Sequence, residues 1–390
     1  MVGAALLNYA SEHVGPGQRQ LAQCMKQLVS TAQSPFVERL DYSNDSVFLE
    51  PSLFAYFGQK HSQITLEQIL YGYLPDTAGL HSFAAYVDHR GLIYLPQLGC
   101  LATDACESVV TVDSDAIACR LSGLRRIGGT HIELCLTSDP LLDSFFRDAD
   151  GRDVPFDLDV GACRAGALDE AFEILQRVAP ALFACLVAVT RRVVVFRSEK
   201  LASFATVSAH GTAFLNVTPP YNATEVFFIE DLAHQCGHVL CSALTVNRDD
   251  YLRADPSTPL QQFTGVEGEQ RDLYTAYHGV FTEALMCIAL HSCLEAGVFS
   301  EVRLHELLGR LSFVMKRFHL DLLSLKHEGL FTDRGRTVVH ECGRIFDDVF
   351  RRTKDRITGF DLSNQSYTFS YEHFAALNPA TVSIDCGCGV

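Results

Sequence analysis

The stretch Phe227–Leu240 constrains the fold of this chain most, because it places two histidines four residues apart inside an apolar run. In an α-helix, residues i and i+4 lie on one face, about one turn apart. His234 and His238 could therefore direct two imidazoles at the same transition-metal ion, while apolar neighbours bury the helix. Asn222, with Glu225 three residues later, has the pattern of a capping box that would start this helix.

A catalytic transition-metal site needs a further ligand, because such sites normally have three protein ligands and leave the other positions open. The best candidate is His278, in the middle of the next long helical segment and beside Gly279, which would permit close helix packing. Glu283, five residues further on, is the carboxylate alternative. Pairs of histidines with this spacing also arise by chance in apolar helices, so a site without metal stays open as an alternative.

Gln235 follows the first histidine directly and bears on the kind of chemistry. In metallopeptidases with an H-E-x-x-H motif, the glutamate takes a proton from metal-bound water, and a neutral amide cannot do this. Peptide hydrolysis by that route is therefore disfavoured. Three interpretations remain: an oxygenase that needs no base there, a metal-binding protein without catalysis, and a degenerate peptidase retained for binding.

The composition is that of a folded globular protein and argues against several classes of function. The chain has 390 residues, of which 48% are hydrophobic and 20% are charged. A net charge of -16 argues against a nucleic-acid partner, because phosphates require a basic surface. We expect neither a signal peptide nor a membrane-spanning helix. The cysteines lie in apolar contexts typical of buried free thiols, so we predict a cytoplasmic protein with no membrane partner.

Hydrophobic periodicity predicts an α+β fold with a mostly helical C-terminal half. Helices are expected at 18–33, 64–73, 167–190 with a break at Pro180, 269–296, 301–328 and 333–350. A β-hairpin is expected from 83 to 95, and further strands at 109–112, 116–120, 131–136, 193–196, 204–208 and 213–217.

These elements divide the chain into three predicted regions. Residues 1–147 would form an added N-terminal α+β region, for which substrate recognition is a candidate role, and 148–352 the metal-binding catalytic domain. Residues 353–390 would form an irregular tail. Cys386 and Cys388 in this tail could hold a metal or exchange disulfides, although a flexible tail is the favoured interpretation.

Several segments between about residues 165 and 350 occur in the order found in a known family. A helix leads into short strands over 167–196, a segment with Gly211 follows, and the helix with the two histidines comes next. The stretch Arg271–Phe281, RDLYTAYHGVF, is similar to R-P-L-x-x-x-x-H-G-V-Y/F, and 330–335, LFTDRG, is similar to L-T-x-x-G. On these motifs the chain resembles the HExxH-type 2-oxoglutarate and iron-dependent peptide β-hydroxylases, which modify ribosomally made peptides.

The resemblance implies an Fe(II) ion held by His234, His238 and His278, with 2-oxoglutarate as the cosubstrate and zinc as the alternative metal. We expect a zincin-like core in which a small sheet backs the histidine-bearing helix. Gln235 stands at the position of the motif's glutamate and Asp272 at that of its proline. In an oxygenase, Gln235 would lie beside the metal without being required as a base.

Arg271 is the predicted cofactor-binding residue. It precedes His278 by seven residues, which in a helix is two turns and about 10 Å on nearly the same face. Its guanidinium could bind one carboxylate of 2-oxoglutarate while the other end of the diacid chelates the metal. The alternative is an ordinary salt bridge to Glu267 or Asp272.

The leading hypothesis is an oxygenase that hydroxylates an unactivated side-chain carbon of a peptide or peptide-like substrate in natural-product biosynthesis. One rival is a non-catalytic metal- or peptide-binding protein derived from the same fold. The other is a zinc hydrolase that uses a different base. The sequence makes no prediction of the oligomeric state.

Overall fold

The computed structural model describes residues 2–59, 64–75, 82–104, 107–113, 117, 121–148, 150–218, 223–327 and 329–380. The protein is α+β and 54% helical, with small sheets and a helical C-terminal half, which confirms that part of the prediction. The described helices are α1 Ala4–Ser30, α2 Asp45–Phe48, α3 Pro51–Gly58, α4 Leu66–Leu70, α5 Pro140–Asp143, α6 Val160–Val178, α7 Pro180–Val189, α8 Glu225–Leu244, α9 Gln261–Thr264, α10 Leu273–Glu295, α11 Glu301–Ser324, α12 Asp333–Ile357 and α13 Tyr371–Leu377.

Within the described residues, the strands form three small sheets. Two are antiparallel, with strand orders β1-β4 and β2-β3-β5, and the third is parallel, with order β6-β7-β8. The strands are β1 Ser82–Tyr86, β2 Leu92–Leu95, β3 Gly99–Ala102, β4 Val109–Asp113, β5 Leu121–Ser122, β6 Glu133–Cys135, β7 Arg192–Phe196 and β8 Thr212–Asn216.

The parallel sheet lies between two large hydrophobic cores. Successive side chains of a strand point to opposite faces. In β7, Val193 and Val195 join the core that contains α8, which we call the C-terminal core. Val194 and Phe196 join the other, the N-terminal core. Because both faces are covered, every residue of β7 and β8 is buried, as expected for parallel strands.

Helix α1 contributes to both cores, with Leu6 in the C-terminal core and Val29 in the N-terminal core. The sequence predicted a start only at residue 18, after Gly-Pro-Gly at 15–17, which has a low helix propensity. The structure continues the helix through this sequence. A Cβ atom at Gly17 would overlap the carbonyl oxygen of Ala243, so glycine is what allows α1 to approach α8 this closely.

Two antiparallel pairings correct the predicted hairpin. Strands β1 and β2 are present, but β1 pairs with β4 and β2 pairs with β3, so the hairpin from 83 to 95 is wrong. Between them, Oδ1 of Asp88 accepts hydrogen bonds from the backbone N–H groups of Arg90 and Leu92, both at 2.8 Å, and fixes a turn that does not bring the strands together. Residues 116–120 of the prediction lie mostly outside the described residues.

The strand predicted at 204–208 is also wrong. Phe204 alone makes a β-bridge, to Phe214 in β8, and the chain then enters a short 3-10 helix, Val207–Ala209. The hydroxyl of Thr206 accepts a hydrogen bond from the backbone N–H of Ser208 at 3.2 Å and starts this turn. Serine and threonine commonly compete with strand pairing in this way.

The predicted irregular tail is wrong for the residues described up to 380. Helix α12 runs to Ile357, and α13 follows at Tyr371–Leu377. Phe374 of α13 is fully buried in a small cluster with Phe313 and Phe369. Cys386 and Cys388 lie outside the described residues. The division at 147 and 352 stays a prediction. Helix α1 packs against helices beyond residue 147, and α12 continues past residue 352.

Helix α10 is the central helix of the C-terminal half. It is long and apolar enough to cross a membrane, but 83% of its apolar window is buried inside the protein. It packs against α8, α11 and α12, and such burial is typical of a core helix in a soluble protein. The described cysteines are free thiols, and Cys287 and Cys293 of this helix are buried as predicted.

Candidate active site

Helix α8 places the two histidines of the sequence motif on one face. The helix begins after Thr224, whose hydroxyl accepts a hydrogen bond from the backbone N–H of Phe227 at 3.0 Å. Thr224 is therefore the N-cap, and the predicted cap Asn222 lies outside the described residues. The ring centroids of His234 and His238 are 4.9 Å apart, as the spacing predicted.

Helix α10 brings His278 against His238. A Cβ atom at Gly237 would lie 3.1 Å from Leu285 and 3.3 Å from Thr282, so glycine in α8 lets the two helices approach. The Nδ1 atoms of His238 and His278 are 3.2 Å apart. Two nitrogens at about 2.1 Å from one ion, with bond angles of about 90–110°, lie about 3.0–3.4 Å from each other. The separation is compatible with a shared ion, but the two nitrogens form a hydrogen bond, so one of them carries a proton that it would have to lose to become a ligand.

The three imidazoles stand in a row. Nδ1 of His234 is 3.0 Å from the amide nitrogen of Gln235 rather than directed at the other two histidines. Among the described residues, no three His, Cys, Asp or Glu side chains converge as a group that could hold one metal ion. Nε2 of His278 is buried and has no hydrogen-bond partner there. The side chain of His234 is 25% exposed. Bringing its imidazole to the same ion as the other two would require a change of its rotamer.

Burial keeps the two inner histidines neutral. Burial, followed by the charges of His234 and His278, lowers the pKa of His238 well below its ordinary value. Burial, followed by the charge of Arg248, lowers the pKa of His278 to about 3. Since metals bind the neutral imidazole, both side chains are in the ligand form at neutral pH.

Gln235 links His234 to Asp231. Its amide nitrogen is 3.3 Å from Oδ1 of Asp231 and 3.0 Å from Nδ1 of His234, and its Oε1 is buried with no hydrogen-bond partner among the described residues. Asp231 also accepts a hydrogen bond from the Ser203 hydroxyl at 2.5 Å. The amide donates in this arrangement and has no proton-accepting role, so residue 235 orients His234.

Arg271 does not lie on the helix that carries His278. Helix α10 begins only at Leu273, because the carboxylate of Asp272 accepts a hydrogen bond from the backbone N–H of Thr275 at 2.7 Å and caps it. The predicted two-turn relationship along one helix is therefore wrong. The guanidinium nonetheless reaches Gly279, the residue after His278, since a Cβ atom there would lie 3.9 Å from Nη1 of Arg271.

Both sides of the Arg271 guanidinium are occupied. Nη1 is 2.6 Å from Asp321 and Nη2 is 2.7 Å from Glu269. The predicted salt bridge exists, but its partners differ from Glu267 and Asp272. Whether Arg271 binds a cosubstrate stays a prediction, and a carboxylate arriving there would have to replace one of these two acids.

Glu283, the alternative third ligand, is buried on α10 and faces α11. Neither carboxylate oxygen has a hydrogen-bond partner among the described residues, and Nε of Arg317 lies 3.7 Å away. Burial, followed by the negative charge of Asp321, raises its pKa well above the ordinary value. Because a protonated carboxyl group is a poor metal ligand, the structure favours His278 over Glu283.

His234, Gln235 and His238 line a cleft of about 640 Å³. The segment 198–205, which includes Lys200, also lines this cleft. Helix α11 contributes Arg310, Phe313 and Arg317, and residues 367–369 complete the lining. His278 is not among the lining residues and lies behind His238. The cleft is large enough for a peptide segment and has both apolar and charged walls.

An ion-pair network in the cleft wall was missed by the sequence analysis. Nη1 of Arg310 is 2.8 Å from Glu230, and its Nε is 2.9 Å from Glu306. The guanidinium lies between the rings of Phe227 and Phe369, at 5.4 and 5.0 Å from their centroids. A carboxylate inside an apolar helical run needs a partner when buried, and Glu230 in α8 was the signal for such a network.

No family model matches the chain, and no curated protein is significantly similar to it. The resemblance to the HExxH-type hydroxylases stays a prediction carried by the motifs quoted above. The functional assignment depends on the residues of the cleft and their geometry.

Proposed function

We propose that this protein is an Fe(II)- and 2-oxoglutarate-dependent oxygenase that hydroxylates a side-chain carbon of a peptide or peptide-like substrate in natural-product biosynthesis. The observation that carries the proposal is the 3.2 Å separation of Nδ1 of His238 and Nδ1 of His278, with His234 one turn away on the cleft wall. This places neutral imidazoles beside a cleft of about 640 Å³, large enough for a peptide segment.

The proposal includes a zincin-like core. Its support is the parallel sheet β6-β7-β8, whose Val193, Val195, Ala213 and Leu215 face the same hydrophobic core as α8. A sheet in this position would hold the histidine helix from behind, as proposed from the sequence.

In this proposal His234, His238 and His278 would hold the iron. Bound iron with 2-oxoglutarate would supply the oxidising power for hydroxylation. Gln235, held by Asp231, donates to Nδ1 of His234, which leaves the imidazole proton on Nε2. This hydrogen bond would therefore have to break for His234 to bind the iron. The aromatic side chains of the cleft would exclude water from the bound substrate. An incoming cosubstrate carboxylate would have to displace Asp321 or Glu269 to reach Arg271.

A non-catalytic peptide-binding protein is the second candidate. The observation that favours it is the hydrogen bond between Gln235 and Nδ1 of His234, which holds the third imidazole away from the other two. A zinc hydrolase would need another base at the cleft. Asp231 is a lining carboxylate, but it is already engaged by Ser203 and Gln235.

Anaerobic reconstitution with Fe(II) tests the proposal. With 2-oxoglutarate, oxygen and candidate peptides encoded close to the gene, we expect succinate and a peptide that gains one oxygen by mass spectrometry. Full occupancy by zinc after reconstitution, with no succinate released, would contradict the oxygenase. His340→Ala is the matched control for histidine substitutions, because His340 is exposed on α12 and does not line the cleft.

A further inference from the structure

A groove between α11 and α12 carries positive charge, although the whole chain has a net charge of -16. Its volume is about 740 Å³. Among the described residues, the charged side chains that line it are Lys326, Arg336, Arg344 and Asp347. His340 lies midway between the two arginines on α12. The charged side chains of α12 therefore follow one face of the helix, and eight residues of helix span about 12 Å.

The two arginines remain available to a ligand. Arg336 lies 2.5 Å from Asp333, and Arg344 lies 3.0 Å from Glu341, each within α12. The two arginine side chains are 55% and 60% exposed. Exposed pairs of this kind contribute at most about 1 kcal/mol and exchange readily.

The floor of the groove is apolar. Leu322, Leu323 and Phe346 line it, and Leu323 is 42% exposed. A second cavity of about 400 Å³ shares His319 and Phe346, whose rings stack at 5.4 Å, and continues the surface towards Phe350. Lys316 lines this extension and adds a further positive charge. A contiguous apolar surface with a polar rim is typical of an interaction site.

We infer that this groove binds an acidic, amphipathic peptide segment. Apolar side chains of the segment would pack on Leu323 and Phe346, and its carboxylates would pair with Lys326, Arg336 and Arg344. Positive charges at several separate points along the groove match a chain that carries several carboxylates. A fatty acid presents one anionic group at one end, and a membrane surface is too flat to enter a groove.

The site lies on another face of α11 from the cleft, since Arg310, Phe313 and Arg317 line the cleft whereas Leu322 and Leu323 line the groove. Peptide binding here is independent of the metal chemistry proposed for the cleft. Its test therefore needs no activity measurement.

Fluorescence anisotropy with the full chain tests the inference. The probe is a short labelled peptide with leucines at i, i+3, i+4 and i+7 and glutamates between them. We expect saturable binding that weakens with added salt, and no binding of the same peptide with lysines in place of the glutamates. The double variant Arg336→Glu/Arg344→Glu should weaken binding by about tenfold or more. Leu323→Asp should also weaken it, because it places a carboxylate on the apolar floor.

The matched control is Arg351→Glu/Arg352→Glu, which makes the same charge change on α12 outside the groove. Arg351 and Arg352 have side chains 69% and 53% exposed, so this variant should fold and bind the peptide as the parent does. If both double variants weakened peptide binding equally, the effect would come from the net charge of the protein alone, which would overturn the inference. Absence of saturable binding by the parent would do the same. Binding of laurate or anionic vesicles by a protein that does not bind the peptide would also overturn the inference. So would a dimer of the parent that Arg336→Glu/Arg344→Glu disrupts.

Discussion

Gln235 donates a hydrogen bond from its amide nitrogen to Nδ1 of His234, its neighbour in the chain, at 3.0 Å. Adjacent residues of a helix do not normally face each other. Here Asp231, one turn earlier, lies 3.3 Å from the same amide nitrogen and holds it in place. The residue that stands where a peptidase would have its base is therefore a connector between a carboxylate and an imidazole.

Gln235→Glu should not create a peptidase. A carboxylate at 235 cannot donate to His234 and would lie beside Asp231, so we expect a loss of about 1–2 kcal/mol in the free energy of unfolding. Metal binding by the histidines should persist, with a modest change in turnover. Urea unfolding, succinate release and peptide cleavage measure these effects. Gln262→Glu, at an exposed position in α9, is the charge-matched control. Cleavage by Gln235→Glu without succinate from the parent would identify a disabled peptidase.

His238→Ala should abolish metal binding. His238 is the central imidazole of the row, so its removal separates the other two. Substitution of a residue that only supports a metal ligand already lowers the metal affinity by about 10–100-fold. Substitution of a ligand itself should therefore lower the affinity by more than about 100-fold. Isothermal titration with Fe(II) under anaerobic conditions measures this, with His340→Ala expected to bind as the parent does. Equal affinity of the His238→Ala variant and the parent would rule out the proposed ligand set.

The metal-free protein should lose stability as the pH falls from about 6.5 towards 3. The pKa of His278 is about 3 in the folded protein and 6.5 in its ordinary state. Between these values the unfolded chain binds a proton that the folded chain does not, so stability rises with pH there. His278→Gln removes this titration. The free energy of unfolding of this variant should therefore fall less between pH 7 and pH 3, by up to a few kcal/mol, than that of the parent. Urea unfolding at pH 7, 6 and 5 compares the parent with the variant. If their free energies of unfolding changed equally with pH, the titration would belong to another group.

The local part of the site could be predicted from the sequence, because the i, i+4 spacing of His234 and His238 fixes their relative position once the helix forms. The approach of His278 depends on Gly237, a small residue whose effect appears only when two helices cross. The partners of Arg271 could not be predicted, because Asp321 is fifty residues away in sequence. The hairpin was wrong for a related reason: β1 and β2 each found a partner later in the chain.

Arg310→Met should destabilise the protein by about 3–5 kcal/mol, because Glu230 would stay buried without its cation and Glu306 would keep only the cation of Arg303, 3.5 Å away. Burial already raises the pKa of Glu230. Protonation of that carboxyl group at lower pH should therefore reduce the loss. Chemical unfolding at pH 7 and 5 measures both effects. Arg352→Met, at a half-exposed position on α12, should change stability by less than about 0.5 kcal/mol. A similar loss in the two variants would show that the buried network contributes little.

Gly17→Ala should cost about 1–3 kcal/mol, because the added methyl group overlaps the carbonyl oxygen of Ala243 and backbone cannot yield as a side chain does. Gly166→Ala in α6 is the matched control. No atom lies within 4 Å of a Cβ there, so alanine should stabilise the helix by about 0.5–1 kcal/mol. Thermal unfolding of both variants gives the comparison. Stabilisation by both would mean that α1 does not approach α8 this closely.

Helix α1 is translated well before the helices that it packs against. Gly3 at its start lies beside Ile288 of α10 and Ile345 of α12, and its middle meets α8 at Ala243. The N-terminal core also needs Phe196 and Phe214, from strands beyond residue 190. Neither core can close around α1 during early synthesis, so we expect this helix to dock after the C-terminal helices have emerged. Helix α1 is thus held in place by helices that lie far later in the chain.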